Sequence, residues 1–328
     1  MATRGVSIIT AATYIQNIGV YVPPGRVDND RFCELTGKDP EWFVSRTGIH
    51  SRSRAAEHES TTSMGCDAVR ALLAADSNAL DDVDLIIGSS YTPDDTLSTL
   101  PARVQREFGI VDARVYFLST ACSSFISALE MARLMLLTGE VHKALIVVSE
   151  HNSFYSDDAD RFSGHLWGDG AAAILLTTDP TDALFSVDYV YSRGVACAGK
   201  GPDAISLHPA KGSKGLLMSE GRDVFARACE YLADEIRTAL AKLKLTLADI
   251  DWLVPHQANL RILANVAKTL GLPMERCAVT VDCLGNTGCA SIPITIGHVL
   301  DQIEPGQTVA AAAFGGGYSS GAAILTRC

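Results

Sequence analysis

Two periodicities alternate along the chain. Apolar runs of strand length, such as ALIVVS in Lys143–Glu150 and VAAAAF in Gln307–Phe314, carry no polar face. That pattern predicts strands buried on both sides. Between such runs, apolar residues recur at three- and four-residue steps. Phe125, Ala128, Leu129, Ala132 and Met135 predict a helix beginning at Ser123, and LPARVQREFG and NLRILANVAKTLG predict two more. Strands alternating with helices predict an α/β protein with parallel sheets covered by helices.

The order of these elements is written twice. LDDVDLII (Leu80–Ile87) returns as LADIDWLV (Leu247–Val254), 251 − 84 = 167 positions later, and each precedes a helix. KALIVVSE pairs with QTVAAAAF, and DGAAAILLT (Asp169–Thr177) with SGAAILTRC at the C-terminus. The turn around Cys122 has its counterpart in VTVDCLGNTGCASIPITIGHVL (Val279–Leu300). Two similar halves, 1–180 and 181–328, are expected, meeting near the turn-rich TDPTDA (Thr178–Ala183).

Composition narrows the setting. The 328 residues are 47% hydrophobic and 20% charged, an ordinary globular balance with no apolar run long enough for a membrane span. The N-terminal MATRGVSIITAATYI reads as a strand rather than a signal peptide. The nine cysteines form neither a CxxC nor a Cys/His zinc spacing, so reduced thiols in a cytoplasmic protein are expected, with no metal site. A net charge of −11 argues against nucleic acid as a partner.

Candidate chemistry gathers at predicted strand ends. If a strand ends at Ser119 or Thr120, Cys122 lies at a helix N-terminus. Free N–H groups and partial positive charge there favour thiolate. A cysteine at a buried turn is often merely structural. In WLVPHQAN, His256 follows a strand ending at Pro255, although a lone histidine usually has a structural role. Asn286 lies in LGNTGCAS, where Gly285 and Gly288 permit an unusual backbone and a simple turn residue is the plainer reading. Parallel sheets collect ligands at the C-terminal ends of their strands. A cysteine, a histidine and an amide at matching ends therefore point jointly to nucleophilic catalysis.

These motifs resemble β-ketoacyl synthase III, the condensing enzymes of the thiolase fold. EWFVSRTGI, TACSSF, GDGAAA, DWLVPHQANLRI, LGNTGCASIP and FGGGYSSG stand in the family's order over nearly the whole chain. The resemblance implies an α-β-α-β-α sandwich, a homodimer and a Cys122–His256–Asn286 triad. It further implies that an acyl thioester acylates Cys122, which then condenses with a malonyl-type or β-ketoacyl thioester on acyl carrier protein as carbon dioxide leaves. Gly316 would join the Cys122 N–H in an oxyanion hole, and Phe314 would line the acyl chamber. Trp42, Arg46, Arg161, Gly221 and Arg222 match positions that hold coenzyme A or pantetheine. Arg261, with Lys268 seven residues on, matches the carrier-protein docking site, and Arg222 and Arg227 could extend that patch. No cofactor is implied beyond coenzyme A or phosphopantetheine thioesters as substrates, and no membrane or nucleic acid.

Some positions depart from the family. Leu100 stands where the resemblance places an aromatic at the dimer-interface end of the acyl pocket, which suggests a longer or branched acyl chain. Arg222 replaces an expected asparagine, which favours carrier-bound substrates. The segment Ser149–Phe162 is also unusual. These changes suggest a specialised ketosynthase of polyketide or dialkylresorcinol type. An acyltransferase or thioester hydrolase using the same nucleophile is the other alternative, and a non-catalytic partner subunit would be expected to lack one of the three residues.

Overall fold

The computed structural model describes residues 12–208 and 214–328, so most of the N-terminal segment read as a strand lies outside them. In chain order the strands are β1 (Tyr14–Tyr21), β2 (Gly25–Asp28), β3 (Ser51–Arg54), β4 (Leu85–Ser89), β5 (Arg114–Leu118), β6 (Lys143–Glu150), β7 (Gly170–Thr177), β8 (Phe185–Gly194), β9 (Ser206–Leu207), β10 (Leu216–Leu217), β11 (Trp252–Pro255), β12 (Thr308–Gly315) and β13 (Ser319–Arg327). The α-helices are α1 (Asn29–Thr36), α2 (Pro40–Thr47), α3 (Thr61–Ala75), α4 (Leu100–Glu107), α5 (Ser124–Leu137), α6 (Asn152–Tyr155), α7 (Gly221–Leu243), α8 (Leu260–Leu270), α9 (Val281–Leu284) and α10 (Ser291–Val299).

Nine strands form one sheet in the order β11-β12-β13-β8-β1-β7-β6-β4-β5. The repeat is visible in it. The first half contributes β5-β4-β6-β7-β1 and the second β11-β12-β13-β8, with an isolated bridge from Leu253 to Cys277 standing where a fifth strand would lie. The halves join through a short antiparallel contact, Tyr14 to Ser186 and Ile15 to Phe185.

The sheet is mixed, where the alternation of strands and helices predicts a parallel one. Among the described residues, only β4–β5, β4–β6 and β11–β12 are parallel strand pairs. Crossover helices connect those strands. After β6 the chain instead turns back through a loop holding only the four-residue α6, and after β12 it reverses within Gly316–Tyr318. Without a crossover, the next strand must run antiparallel.

Residue alternation builds five layers. On β6, Ala144, Ile146 and Val148 face one cluster while Leu145 and Val147 face another. On β12, Val309, Ala311 and Ala313 share the first cluster, while Ala310, Ala312 and Phe314 face a third. The shared middle layer holds α5 (Phe125, Ala128, Leu129, Ala132, Leu136) and α10 (Ile292, Ile294, Ile296). Helix α3 covers the outside of the first half, and α7 and α8 cover the second. Burying a Leu, Ile or Phe side chain contributes about 1.5–3 kcal/mol, so the doubly packed middle layer fixes both halves against each other.

Helix starts are set by local hydrogen bonding. Ser60 and Ser63 form a capping box at α3, and the Asp94 carboxylate accepts the N–H groups of Thr61 and Thr62. Asn259 caps α8 by accepting the Ile262 N–H at 3.0 Å.

Candidate active site

Cys122 sits on a tight turn between β5, which ends at Leu118, and α5, which begins at Ser124. Ala121 is held at φ +50°, a left-handed conformation that costs a non-glycine residue about 1–2 kcal/mol. Serines brace it. Ser124 Oγ accepts the Thr120 N–H at 2.8 Å and donates to the Ala121 carbonyl at 2.6 Å. From β13, Ser319 Oγ donates to the Thr120 carbonyl at 2.8 Å. The end of β12 presses on the same turn. A Cβ at Gly315 would stand 2.8 Å from both the Cys122 nitrogen and the Thr120 oxygen, so only glycine permits that approach.

His256 follows β11, and its N–H extends the parallel ladder to Ala312 at 2.8 Å. Its Nδ1 lies 2.8 Å from Ser291 Oγ, which also accepts the Gln257 N–H at 3.3 Å. Ser291 is thereby free to donate to Nδ1, which puts the ring proton on Nε2. The Gln257 side chain donates to Pro255 and Ala278 carbonyls and accepts the N–H groups of Thr280 and Val281. It ties the histidine's strand end to the loop leading to Asn286. There, Asn286 Oδ1 accepts the Gly288 N–H at 2.9 Å, leaving Nδ2 as a free donor.

Cys122, His256 and Asn286 line one narrow buried chamber of about 40 Å³, together with Phe314, Gly316, Trp167 and the apolar Met218, Val224 and Ile262. Met218 also lines an outer pocket of about 570 Å³. That pocket brings together Trp42, Arg46, Arg161, Gly221 and Arg222, which are far apart in sequence, with Phe162 and His165. The Arg46 guanidinium lies 5.0 Å from the Trp42 ring centre. Among the described residues, Arg46, Arg161 and Arg222 have no ion-pair partner.

Electrostatics correct one expectation. Burial, with the buried Glu150 carboxylate adding to it, pushes the Cys122 thiol up to about 12, against weaker lowering by hydrogen bonding from Tyr91 and the backbone. The partial charge at the helix N-terminus is outweighed, and Cys122 rests as a thiol. Burial also lowers His256 to about 4, with hydrogen bonding to the Gly288 backbone opposing, so its imidazole is neutral. Neutral thiol faces neutral imidazole.

Residues 117–191 match the family model described as 3-Oxoacyl-[acyl-carrier-protein (ACP)] synthase III, and residues 240–327 match the model of its C-terminal part. A β-ketoacyl-[acyl-carrier-protein] synthase III of Roseobacter denitrificans is 35% identical over 321 residues, 97% of this chain and 99% of that protein. The chain belongs to the 3-oxoacyl-[acyl-carrier-protein] synthase III family. The synthase III of Deinococcus deserti is 36% identical over 311 residues, covering 92% of this chain and 87% of that one. The solved synthase III of Thermus thermophilus matches with a TM-score of 0.89 at 34% identity, over 96% of this chain and 99% of that one. The priming β-ketosynthase of the R1128 polyketide pathway matches at 0.87 and 27%, over 96% of each. The chain is a thiolase-fold condensing enzyme, an acyltransferase that forms C–C bonds.

Within this synthase III, not every expected residue reaches the chamber. Leu100 is 3% exposed and packs over Gly65 in the outer layer, away from Cys122. Three residues earlier, Leu97 is 93% exposed on the loop before α4 and is the leucine free to meet another surface. Arg261 and Lys268 are both exposed on α8, with the Arg261 guanidinium 5.6 Å from the Phe225 ring. Arg227 adds little positive charge to such a patch, because Glu230 and Asp223 pair with it. The sequence reading passed over Gln257, Ser291, Trp167, Tyr91 and Glu150. Gln257 and Ser291 lie inside the motifs PHQAN and GCAS, and Trp167 immediately precedes GDGAAA. Tyr91 and Glu150 follow strand runs at the same sheet end, a position that marks them in retrospect.

Proposed function

We propose that this synthase III runs two half-reactions in one chamber. Cys122 Sγ attacks the carbonyl of an acyl thioester. The bond from carbonyl carbon to pantetheine sulfur breaks, and the released thiol leaves with the proton given up by Cys122. The N–H groups of Cys122 and Gly316 receive the tetrahedral oxyanion. A malonyl-type thioester on acyl carrier protein then enters and loses its carboxylate as carbon dioxide, leaving an enolate. His256 Nε2–H and Asn286 Nδ2 donate to the enolate oxygen. The α-carbon attacks the acyl carbonyl, the C–C bond forms, and Cys122 leaves and regains a proton. Neither donor has to change protonation to act, which suits a neutral imidazole and an amide.

One observation carries this reading: the two halves of the chain supply Cys122 and the His256–Asn286 pair to a single buried chamber. The test is mass spectrometry of protein and products after mixing acyl donors with malonyl carrier protein. An acyl adduct on Cys122, absent in Cys122→Ala, followed by a 3-oxoacyl product is expected. An adduct that yields only free acid or acyl ester would favour the hydrolase or acyltransferase instead.

The outer pocket supports a thioester donor entering past Met218. Trp42 offers a stacking face, while Arg46, Arg161 and Arg222 suit phosphates, and Gly221 leaves room for the pantetheine arm. Arg261 and Lys268 provide local positive charge for an acidic carrier protein on a chain of net charge −11. A cytoplasmic homodimer fits the remaining surface. Among the described residues, strand β5 is an unpaired sheet edge, and Leu97, Val111 and Tyr116 near it are exposed. Halves of 1–180 and 181–328 suit the internal repeat, with β7 ending at Thr177 and β8 beginning at Phe185.

A further inference from the structure

The turn that carries Gly316 is not fixed by its own sequence. It joins β12 to β13 through Gly316, Gly317 and Tyr318, and glycines restrict the backbone least. Among the described residues, no acceptor meets the N–H of Gly316 or of Gly317, and Gly316 lines the chamber. What holds this turn therefore comes from other parts of the chain. The Val195 N–H donates to the Tyr318 carbonyl at 2.9 Å. Ile205 packs against Gly316, where a Cβ would stand 2.6 Å from Ile205 Cγ2. The Tyr318 side chain is 2% exposed, with its ring centre 4.7 Å from that of Phe314. Its hydroxyl donates to Asp223 Oδ2 at 2.8 Å.

Asp223 lies in the first turn of α7. Its Oδ2 also accepts the Lys200 N–H at 2.8 Å, and the chain passes so close at Gly199 that a Cβ there would strike the same oxygen. The Lys200 N–H, followed by the Tyr318 hydroxyl, holds this carboxyl below the usual carboxylate range, so it is an anion at neutral pH. Burial and the bond to Asp223 push the Tyr318 phenol up, so it stays a donor. A hydrogen bond from a neutral donor to a carboxylate is shorter and stronger than one between neutral groups. One oxygen thus joins three segments: the Gly316 turn, the loop whose Ile205 lines the chamber, and the helix whose Gly221 and Arg222 line the outer pocket. Tyr318 and Asp223 line neither cavity themselves.

We infer that Tyr318 and Asp223 are positioning residues for the Gly316 N–H, their hydrogen bond setting where that donor points when an oxyanion forms at Cys122. The inference rests on the reading of Gly316 as an oxyanion donor to the group carried by Cys122. An oxyanion donor must meet the place the charged oxygen will occupy, not the ground-state carbonyl. A small displacement of it therefore weakens the transition state more than the bound thioester, and the loss falls on kcat rather than KM. Decarboxylation of the second substrate draws on His256 and Asn286, which neither residue touches, so the two steps respond differently.

The test is Tyr318→Phe, which keeps the ring against Phe314 and deletes only the hydroxyl. Acyl loading on Cys122 is read by intact-protein mass spectrometry over a concentration series of acetyl-, butyryl- and octanoyl-coenzyme A, using the one that loads the parent fastest. Losing an oxyanion donor outright costs about 10²–10³-fold, so a displaced one should slow loading at saturation by about tenfold, with KM unchanged. Release of labelled carbon dioxide from the acylated enzyme with malonyl carrier protein should change by less than about twofold. Asp223→Ala should slow loading in the same way, and Asp223→Asn, which keeps an acceptor, should slow it less. Tyr318→Phe combined with Asp223→Ala should be no slower than Asp223→Ala alone. The comparison of the two Asp223 variants does not depend on Tyr318→Phe folding. Loading within about twofold of the parent, or loading and decarboxylation falling in parallel, overturns the inference while leaving the acyl-enzyme in place. If no donor, on coenzyme A or on carrier protein, acylates Cys122 in the parent, the underlying reading falls and the inference falls with it.

Discussion

Replacing Asn286 by aspartate separates the two half-reactions. The parent amide accepts the Gly288 N–H at 2.9 Å through Oδ1, which leaves Nδ2 to donate. Aspartate keeps the size and the acceptor and, when ionised, offers no donor, so the assay is run well above pH 7. A donor aimed at a developing oxyanion is worth about 2.7–4 kcal/mol. At 1.36 kcal/mol per decade, decarboxylation of the malonyl thioester should slow by about 10²–10³-fold. Acyl loading draws on the N–H groups of Cys122 and Gly316, so it should fall by less than about fivefold. The assays are release of labelled carbon dioxide and accumulation of acyl-enzyme by mass. If both steps fall together, or decarboxylation falls by less than about tenfold, the assignment of Asn286 to the enolate is wrong. Asn286→Ala makes a control for structural damage. It also strips the Gly288 N–H of its acceptor, so it should lose about 1–3 kcal/mol of stability.

Four further outcomes are expected. Gly315→Ala should push the Cys122 turn out of place, because its Cβ meets backbone atoms at 2.8 Å; loading should fall by about 100-fold or more, measured as acyl-enzyme formation. Gln257→Leu deletes four buried hydrogen bonds and should cost about 3–4 kcal/mol in urea unfolding. Arg261→Glu with Lys268→Glu should lower kcat/KM for malonyl carrier protein in a salt-dependent way while sparing loading from coenzyme A thioesters. His165 is lowered by burial, and by Arg52 beside it, to about 4 from 6.5. The folded state therefore stays neutral while the unfolded chain takes up a proton, and stability is lost as pH falls from about 6.5 to about 4. His256 acts in the same direction, and Glu150, raised by burial to about 7, acts in the opposite one. Comparing the parent with His165→Leu isolates one group. The parent's stability relative to the variant should drop by about 3 kcal/mol between pH 7 and pH 4.

The repeat was legible because it lies in local apolar patterns. The run from Lys143 to Glu150 looks buried on both faces, and it is. Strand direction was not legible, because Gly170–Thr177 reads alike in either orientation and only the short connection before it dictates antiparallel pairing. Leu97 and Leu100 differ only in place. Which one meets solvent depends on where α4 starts, one turn of chain that composition does not mark. Trp42 and Arg222 converge on one pocket from distant parts of the chain, so only the resemblance joined them beforehand. The charge state of Cys122 was misread because the helix N-terminus is a local feature. Its burial and the carboxylate of Glu150 come from elements far away in sequence.

The duplication also explains why the site is lopsided. Helices α5 and α10 begin at Ser124 and Ser291, 291 − 124 = 167 positions apart, the same offset that relates β4 to β11. Carried to the residue two before each helix, that offset pairs Cys122 with Cys289. Both are buried thiols at equivalent turns. Cys289, however, lies 3.8 Å from the Ser89 carbonyl and against the Glu150 carboxylate, and it does not line the chamber. The loop before it instead delivers Asn286, and the strand beside it delivers His256. The strand ends of the first half hold the Cys122 thiol and the Glu150 carboxyl, raised by burial to about 7, while those of the second hold neutral donors. An enolate arising between them meets the side-chain donors of the second half, while the Cys122 N–H of the first half is left to the acyl oxyanion, and that division sets which face of the chamber the second substrate occupies.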